Sequence, residues 1–199
     1  MRVLIACECS GIVRDAFRAR GHDAWSCDLK PCEGDPQYHL KGDCFRAIMG
    51  HNWDGIILHP PCTAMGLCGN RWYGKGMPRH AERIAALNWT ENLVAFARER
   101  CPRVAVEQPK STLCQRIGKR TQAIHPWQFG HMEQKETWLW LYGLPPLTPT
   151  TDVYAAMMLL PKKKRERIFY MSPGENRGTD RSRTFTGIAS AMAAQWGYA

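Results

Sequence analysis

The chain has 199 residues, 27 basic and 18 acidic side chains, and a formal net charge of +9. That length suits one domain with a sizeable core. The charge favours a polyanionic partner such as nucleic acid, or simply a soluble basic surface, and no apolar run is long enough for a membrane-spanning helix. Nine cysteines lack the paired C-x-x-C spacing of structural zinc, so no metal site is expected. Their odd number and the lack of a signal-peptide layout suggest free thiols in a reducing cytoplasm.

Residues 2–6 are apolar or β-branched and read as a central parallel strand. The turn after it, Cys7-Glu8-Cys9-Ser10-Gly11, ends in small residues that let backbone approach a ligand closely. Ile12 to Arg20 has helical spacing and stops at Gly21; Asp23 to Cys27 reads as a second strand, with Asp28 after it. Strand, small-residue turn, helix, strand and acid together make a unit that binds the adenosine part of a cofactor, the acid accepting from ribose hydroxyls. A plain βαβ unit fits as well, because the full G-x-G-x-x-G is absent. Tyr38 to Leu40 reads as a third strand. Asp43 beyond it either meets an adenine amine or caps a helix from Cys44 to Met49.

The chain is organised around Trp53 to Thr63. Ile56 to Leu58 is a short buried strand stopped by Pro60 and Pro61. It delivers Cys62 to the carboxyl edge of the sheet, where open α/β proteins place their ligands. Cys62 is then a nucleophile or a small core thiol. Residues 63–78 hold four glycines and form a candidate lid. Within it Arg71, Trp72, Tyr73 and Lys75 combine charge with flat rings, the mixture that grips an unstacked strand. Arg79 to Arg100 is an amphipathic helix with Ile84, Leu87, Leu93, Val94 and Phe96 facing inward. Arg103 to Val106 is another buried strand, closed by Glu107-Gln108-Pro109. If strands 54–58 and 103–106 are parallel neighbours, about 5 Å apart, Cys62 and Glu107 flank one pocket.

Residues 110–120 are basic, Thr137 to Tyr142 form a late strand, and 144–151 an extended connector. The run Lys162 to Arg167 suits phosphate contacts or a solvated turn. Pro173 to Ser182 is loop-like, and Thr184 to Trp196 is a terminal helix. The alternation of β and α segments implies an α/β fold with a doubly wound, mainly parallel sheet.

At Pro60-Pro61-Cys62, Glu107-Gln108-Pro109 and the Gly11 turn, the sequence resembles the DNA cytosine-5 methyltransferases, in particular their small phage and prophage members. The resemblance runs over roughly residues 2–110. It implies a single Rossmann-like methyltransferase domain over residues 1–199, with 143–183 as a minimal target-recognition segment. S-adenosylmethionine would be the cofactor, held by Cys7, Glu8, Ser10, Gly11, Asp28, Asp43 and Pro60. Cys62 would be the nucleophile and Glu107 the acid. The family's Gln-x-Arg-x-Arg motif has two counterparts: by position Gln134-Lys135-Glu136-Thr137, which brings Lys135 to the site, and by letters Lys164-Arg165-Glu166-Arg167. DNA would be the partner, contacted by Arg71, Lys75, Lys110, Arg165 and Arg167. Thr63, Gln108-Pro109 and Ile188 depart from the family's pattern.

The implied chemistry is addition of the Cys62 thiolate to cytosine C6, with a protonated Glu107 donating to N3 and basic neighbours lowering the thiol's pKa. The alternatives are transfer to a pyrimidine in a nucleotide, RNA or single strand, and a decayed protein that only binds DNA or cofactor.

Overall fold

A computed structural model describes residues 1–175 and 177–198. Its strands are β1 (Arg2–Ala6), β2 (Asp23–Asp28), β3 (His39–Lys41), β4 (Gly55–Leu58), β5 (Val104–Pro109), β6 (Gln122–Ile124) and β7 (Thr137–Tyr142). They form one seven-stranded sheet in the order β3-β2-β1-β4-β5-β7-β6. β1 to β5 run parallel, and β7 enters antiparallel to both β5 and β6. The helical segments are α1 (Ile12–Arg18), α2 (Cys44–Gly50), α3 (Asn70–Tyr73), α4 (His80–Arg100), α5 (Cys114–Ile117), α6 (Tyr154–Met158), α7 (Lys162–Arg165), α8 (Arg167–Tyr170), α9 (Arg177–Ser182) and α10 (Thr186–Trp196).

Alternation along the buried strands divides the core in two. Leu4, Ile56, Leu58, Val104 and Val106 face α2 and α4, meeting Ala47, Ile48, Leu87, Leu93 and Val94. Val3, Ile5, Ile57 and Ala105 face α1 and α10, meeting Val13, Phe17, Ile188, Met192 and Trp196. Right-handed crossovers account for α1 on one face and α2 and α4 on the other. No described helix is long and apolar enough to cross a membrane.

Three local expectations change. α4 does not turn Ile84 inward: Ile84 is exposed and Arg83 beside it is buried. The Arg83 guanidinium donates to the carbonyls of Ala64 (2.7 Å) and Gly66 (3.2 Å) and to Asn70 Oδ1 (2.7 Å), so polar satisfaction outweighs burial of an isoleucine. Part of the stretch read as a loop, Arg177–Ser182, is helical. β6 is an additional edge strand of three residues, too short to show alternation.

Candidate active site

The parallel register gathers the chemistry at one rim. Ala6 lies opposite both Cys27 and Leu58, and Leu58 lies opposite Val106. The residues that follow these positions therefore gather at that rim: Cys7 and Glu8, and His59 to Cys62, beyond their strands, with Asp28 at the last position of β2 and Glu107 still within β5. β7 runs the other way, with Thr137 opposite Pro109. Lys135, two residues before β7 begins, thus reaches the same rim.

There His59 Nδ1 lies 3.1 Å from Glu107 Oε2, and the two side chains are 10% and 12% exposed. A carboxylate can only accept, so Nδ1 carries a proton and donates it. Burial alone would push Glu107 up, yet the hydrogen bond and charge of His59, with the charge of Lys135, hold it below the usual carboxylate range. Burial depresses His59, but Glu107 and Glu8 outweigh that and raise it overall, against Lys135. Both shifts favour the ion pair of imidazolium and carboxylate, against the neutral Glu107 expected above. The other imidazole nitrogen, Nε2, is buried without a protein partner.

Cys62 is half-buried and all nine cysteines are free. Burial, then the Glu107 charge, raises its thiol pKa, with Lys135 pulling the other way. The expectation that basic side chains and the loop's N–H groups lower it is corrected on balance: Lys135 and a backbone hydrogen bond act in that sense, but burial and the Glu107 charge outweigh them. Gln108 shapes the turn before the thiol, its amide donating to the Pro60 carbonyl. Lys135 Nζ donates to the Arg181 carbonyl at 3.1 Å.

At the cofactor end, Gly11 has φ +74°, a left-handed conformation, and a Cβ there would stand 2.5 Å from Arg14 Nη2. Both geometry and space thus require glycine. Arg14 is fully buried under the turn and ties it to Ser26 Oγ (3.2 Å) and the Asp35 carbonyl (2.9 Å). The Glu8 carboxylate is turned to α1, accepting from the N–H groups of Val13 (2.8 Å) and Arg14 (3.3 Å) and from Ser10 Oγ (3.2 Å). Cys7 Sγ lies 3.5 Å from Cys44 Sγ, and that contact with burial keeps the Cys7 thiol protonated. Asp28 Oδ1 accepts from the Lys30 N–H, and Asp43 Oδ1 from those of Phe45 and Arg46. Among the described residues, no protein donor is assigned to Oδ2 of either acid. Two free carboxylate oxygens at neighbouring strand ends, beside a tight glycine turn, fit a ribose and an adenine amine.

No protein-family model matches the sequence, and no curated protein matches it in sequence. Among solved structures, the chain is similar to the Dnmt2 methyltransferase of S. pombe, with a TM-score of 0.50 and 11% identity. The match covers 100% of this chain and 66% of that one. The fold is the Rossmann-like α/β fold of that structure.

On this fold the candidate nucleic-acid contacts fall into two groups. Arg71 and Lys75 are exposed, and the Arg71 guanidinium lies 5.5 Å from the ring centre of the exposed Trp72. Lys110, Arg165 and Arg167 already have partners. Lys110 pairs with Glu136 at 2.7 Å, Arg167 with Glu133 at 2.7 Å, and Arg165 donates to the carbonyls of Met158 and Leu160, both at 3.4 Å. Arg167 is exposed as well, so Lys162, Lys163 and Lys164 are the exposed cations of that run with no acidic partner among the described residues. The candidate lid is fastened over its first half. Besides Arg83, the Leu67 N–H donates to Lys110 O (2.8 Å) and the Thr112 N–H to Met65 O (3.0 Å).

Sequence reasoning passed over His59 and Arg83. The signal for His59 was its place directly after a buried strand, beside the strand that carries Glu107; Arg83 gave none, since its neighbour Ile84 fits the apolar period better.

Proposed function

We propose that this protein transfers a methyl group to C5 of cytosine in DNA through a covalent adduct on Cys62. The observation that carries the reading is the convergence of Cys62, Glu107 and Lys135 at one rim of a methyltransferase-type sheet, beside the Gly11 turn. The family resemblance supports it at the same residues.

S-adenosylmethionine would supply the electrophilic methyl group, with Asp28 on its ribose, Asp43 on its adenine and the Cys7–Gly11 turn along its length. The chain's residues do the rest. C5 of cytosine is a weak nucleophile; sulfur adding at C6 makes it enamine-like. Cys62 must lose its proton first, and Lys135 is the cation that favours the thiolate. Glu107 meets the N3 side of the ring and lends a proton as negative charge develops there. After C5 has gained its methyl group, it gives its own proton to water, and the bond between C6 and Cys62 Sγ breaks with its electron pair returning to sulfur as thiolate. A base in duplex DNA must leave the stack to reach the thiol.

The test is transfer of labelled methyl from the cofactor, with nucleosides then identified by mass spectrometry. Duplex DNA, single-stranded DNA, RNA and free cytidine nucleotides serve as acceptors. The reading expects 5-methyldeoxycytidine from DNA and none with Cys62→Ala. Full activity of that variant refutes the thiol's role. Product from RNA or nucleotides alone refutes the DNA assignment.

A further inference from the structure

We propose that His59 holds the proton Glu107 lends to the base, so that the two side chains act as one acid in the cytosine chemistry. This rests on the function proposed above and adds a residue to it.

The geometry leads to this role. A carboxyl that must donate to N3 needs a proton, and Glu107 Oε2 sits 3.1 Å from His59 Nδ1, which is placed to hand one over. Both side chains are nearly enclosed, so no water-filled path is needed between them. As the Cys62 sulfur bonds to C6, electron density moves to N3. The proton crosses from His59 Nδ1 to Glu107, making the neutral acid, and passes from that acid to N3. The ring adduct is then neutral, His59 is a neutral imidazole and Glu107 is again a carboxylate. When the carbon–sulfur bond breaks, the same proton returns by the same route. His59 thus acts through Glu107 as a positioning residue.

Two other charged groups set how tightly the pair holds its proton. Burial works against the imidazolium and Glu107 itself favours it; Glu8, from the turn between β1 and α1, adds to Glu107, and Lys135, before β7, opposes it. The sign follows. The pair keeps its shared proton until pH rises past the raised value of His59. Without His59 the proton must rest on a carboxylate, which releases it at lower pH.

The first experiment follows the imidazole resonances of His59 by NMR against pH in the unliganded protein, assigned by their loss in His59→Gln. The proposal expects a midpoint above that of a free histidine, falling below it in Glu107→Gln. A midpoint that does not respond to Glu107→Gln overturns it. This readout needs neither cofactor nor DNA, so it is separate from the test of methyl transfer. The second is single-turnover methyl transfer against pH. His59→Gln should be at least tenfold slower at pH 7.5, with the gap narrowing below pH 6 as Glu107 takes up its own proton. A loss of equal size at every pH makes His59 merely structural and overturns the proposal. A normal His59 titration in a protein inactive on every acceptor would sink the cytosine reading and the catalytic half of this one.

Discussion

His59 and Glu107 are 48 positions apart in the chain, yet their side chains meet at 3.1 Å because β4 and β5 end side by side. The pair is largely enclosed, so it is barely screened by salt. Its effect on stability has a pH window. Glu107 has a depressed pKa, so its contribution is present above the unfolded value of about 4.3 and fades as pH falls through the folded one. His59 has a raised pKa, so its contribution is full below about 6.5 and is lost as pH rises through the folded value. His59→Gln should therefore lower the melting temperature most between about pH 4.5 and 6.5, and least at alkaline pH. Breaking one side of a buried pair costs on the order of 3–5 kcal/mol, reduced here because Lys135 remains near Glu107. Thermal denaturation of both proteins across that range checks it; a difference that grows above pH 8 contradicts the assignment.

Cys62 should be a slow nucleophile in the free protein. Burial and then the Glu107 charge hold its proton on, and Lys135 only partly offsets them. Alkylation by iodoacetamide, read at that residue by peptide mass spectrometry, should have a midpoint above that of a cysteine in a peptide. Glu107→Gln should move the midpoint down and Lys135→Met should move it up. Shifts in the opposite directions would mean that the carboxylate and the ammonium do not share the thiol's surroundings.

Strands buried on both faces were legible as short apolar runs, and β1, β4 and β5 are of this kind. Proline marked where β4 and β5 leave the sheet, which brought Cys62 and Glu107 to one rim on paper. Long-range polar pairing was not legible. Nothing local to His59 points to Glu107; only the register of parallel strands joins them. Periodicity chose Ile84 over Arg83 because it weighs transfer to oil and ignores acceptors waiting on another segment. The charge run at 162–167 looked uniform in sequence, while the fold divides it into paired arginines and free lysines.

Arg83 fastens the segment that carries Cys62 onward into α3. Its guanidinium meets two carbonyls and the Asn70 amide oxygen. Arg83→Met keeps most of the stem's packing and removes the donors. The acceptors of a loop then lose their partners, at about 1–3 kcal/mol for the group. The expected result is a melting temperature lower by several degrees and new proteolytic cleavage within residues 64–73. Cleavage only at other sites, with unchanged stability, would show that the loop is held by its contacts to residues 110–112 instead.

The lysines of α7 should matter more for DNA than the arginines beside them. Lys162, Lys163 and Lys164 are exposed, whereas Arg167 is paired with Glu133 and Arg165 is spent on two carbonyls. A phosphate reaching Arg167 must first displace a carboxylate, so much of its attraction is cancelled. A phosphate reaching a lysine displaces only water and counterions. Each phosphate contact contributes about 0.9 to the slope of log K against log salt concentration on duplex DNA. Replacing all three lysines by glutamine should thus lower the slope by about 2–3 and weaken binding at moderate salt by an order of magnitude or more. Arg167→Gln should change the slope by well under one unit. Fluorescence anisotropy with a labelled duplex at several salt concentrations measures both. A larger slope change from Arg167→Gln than from the triple variant would place the DNA on the other side of α7, against Glu133.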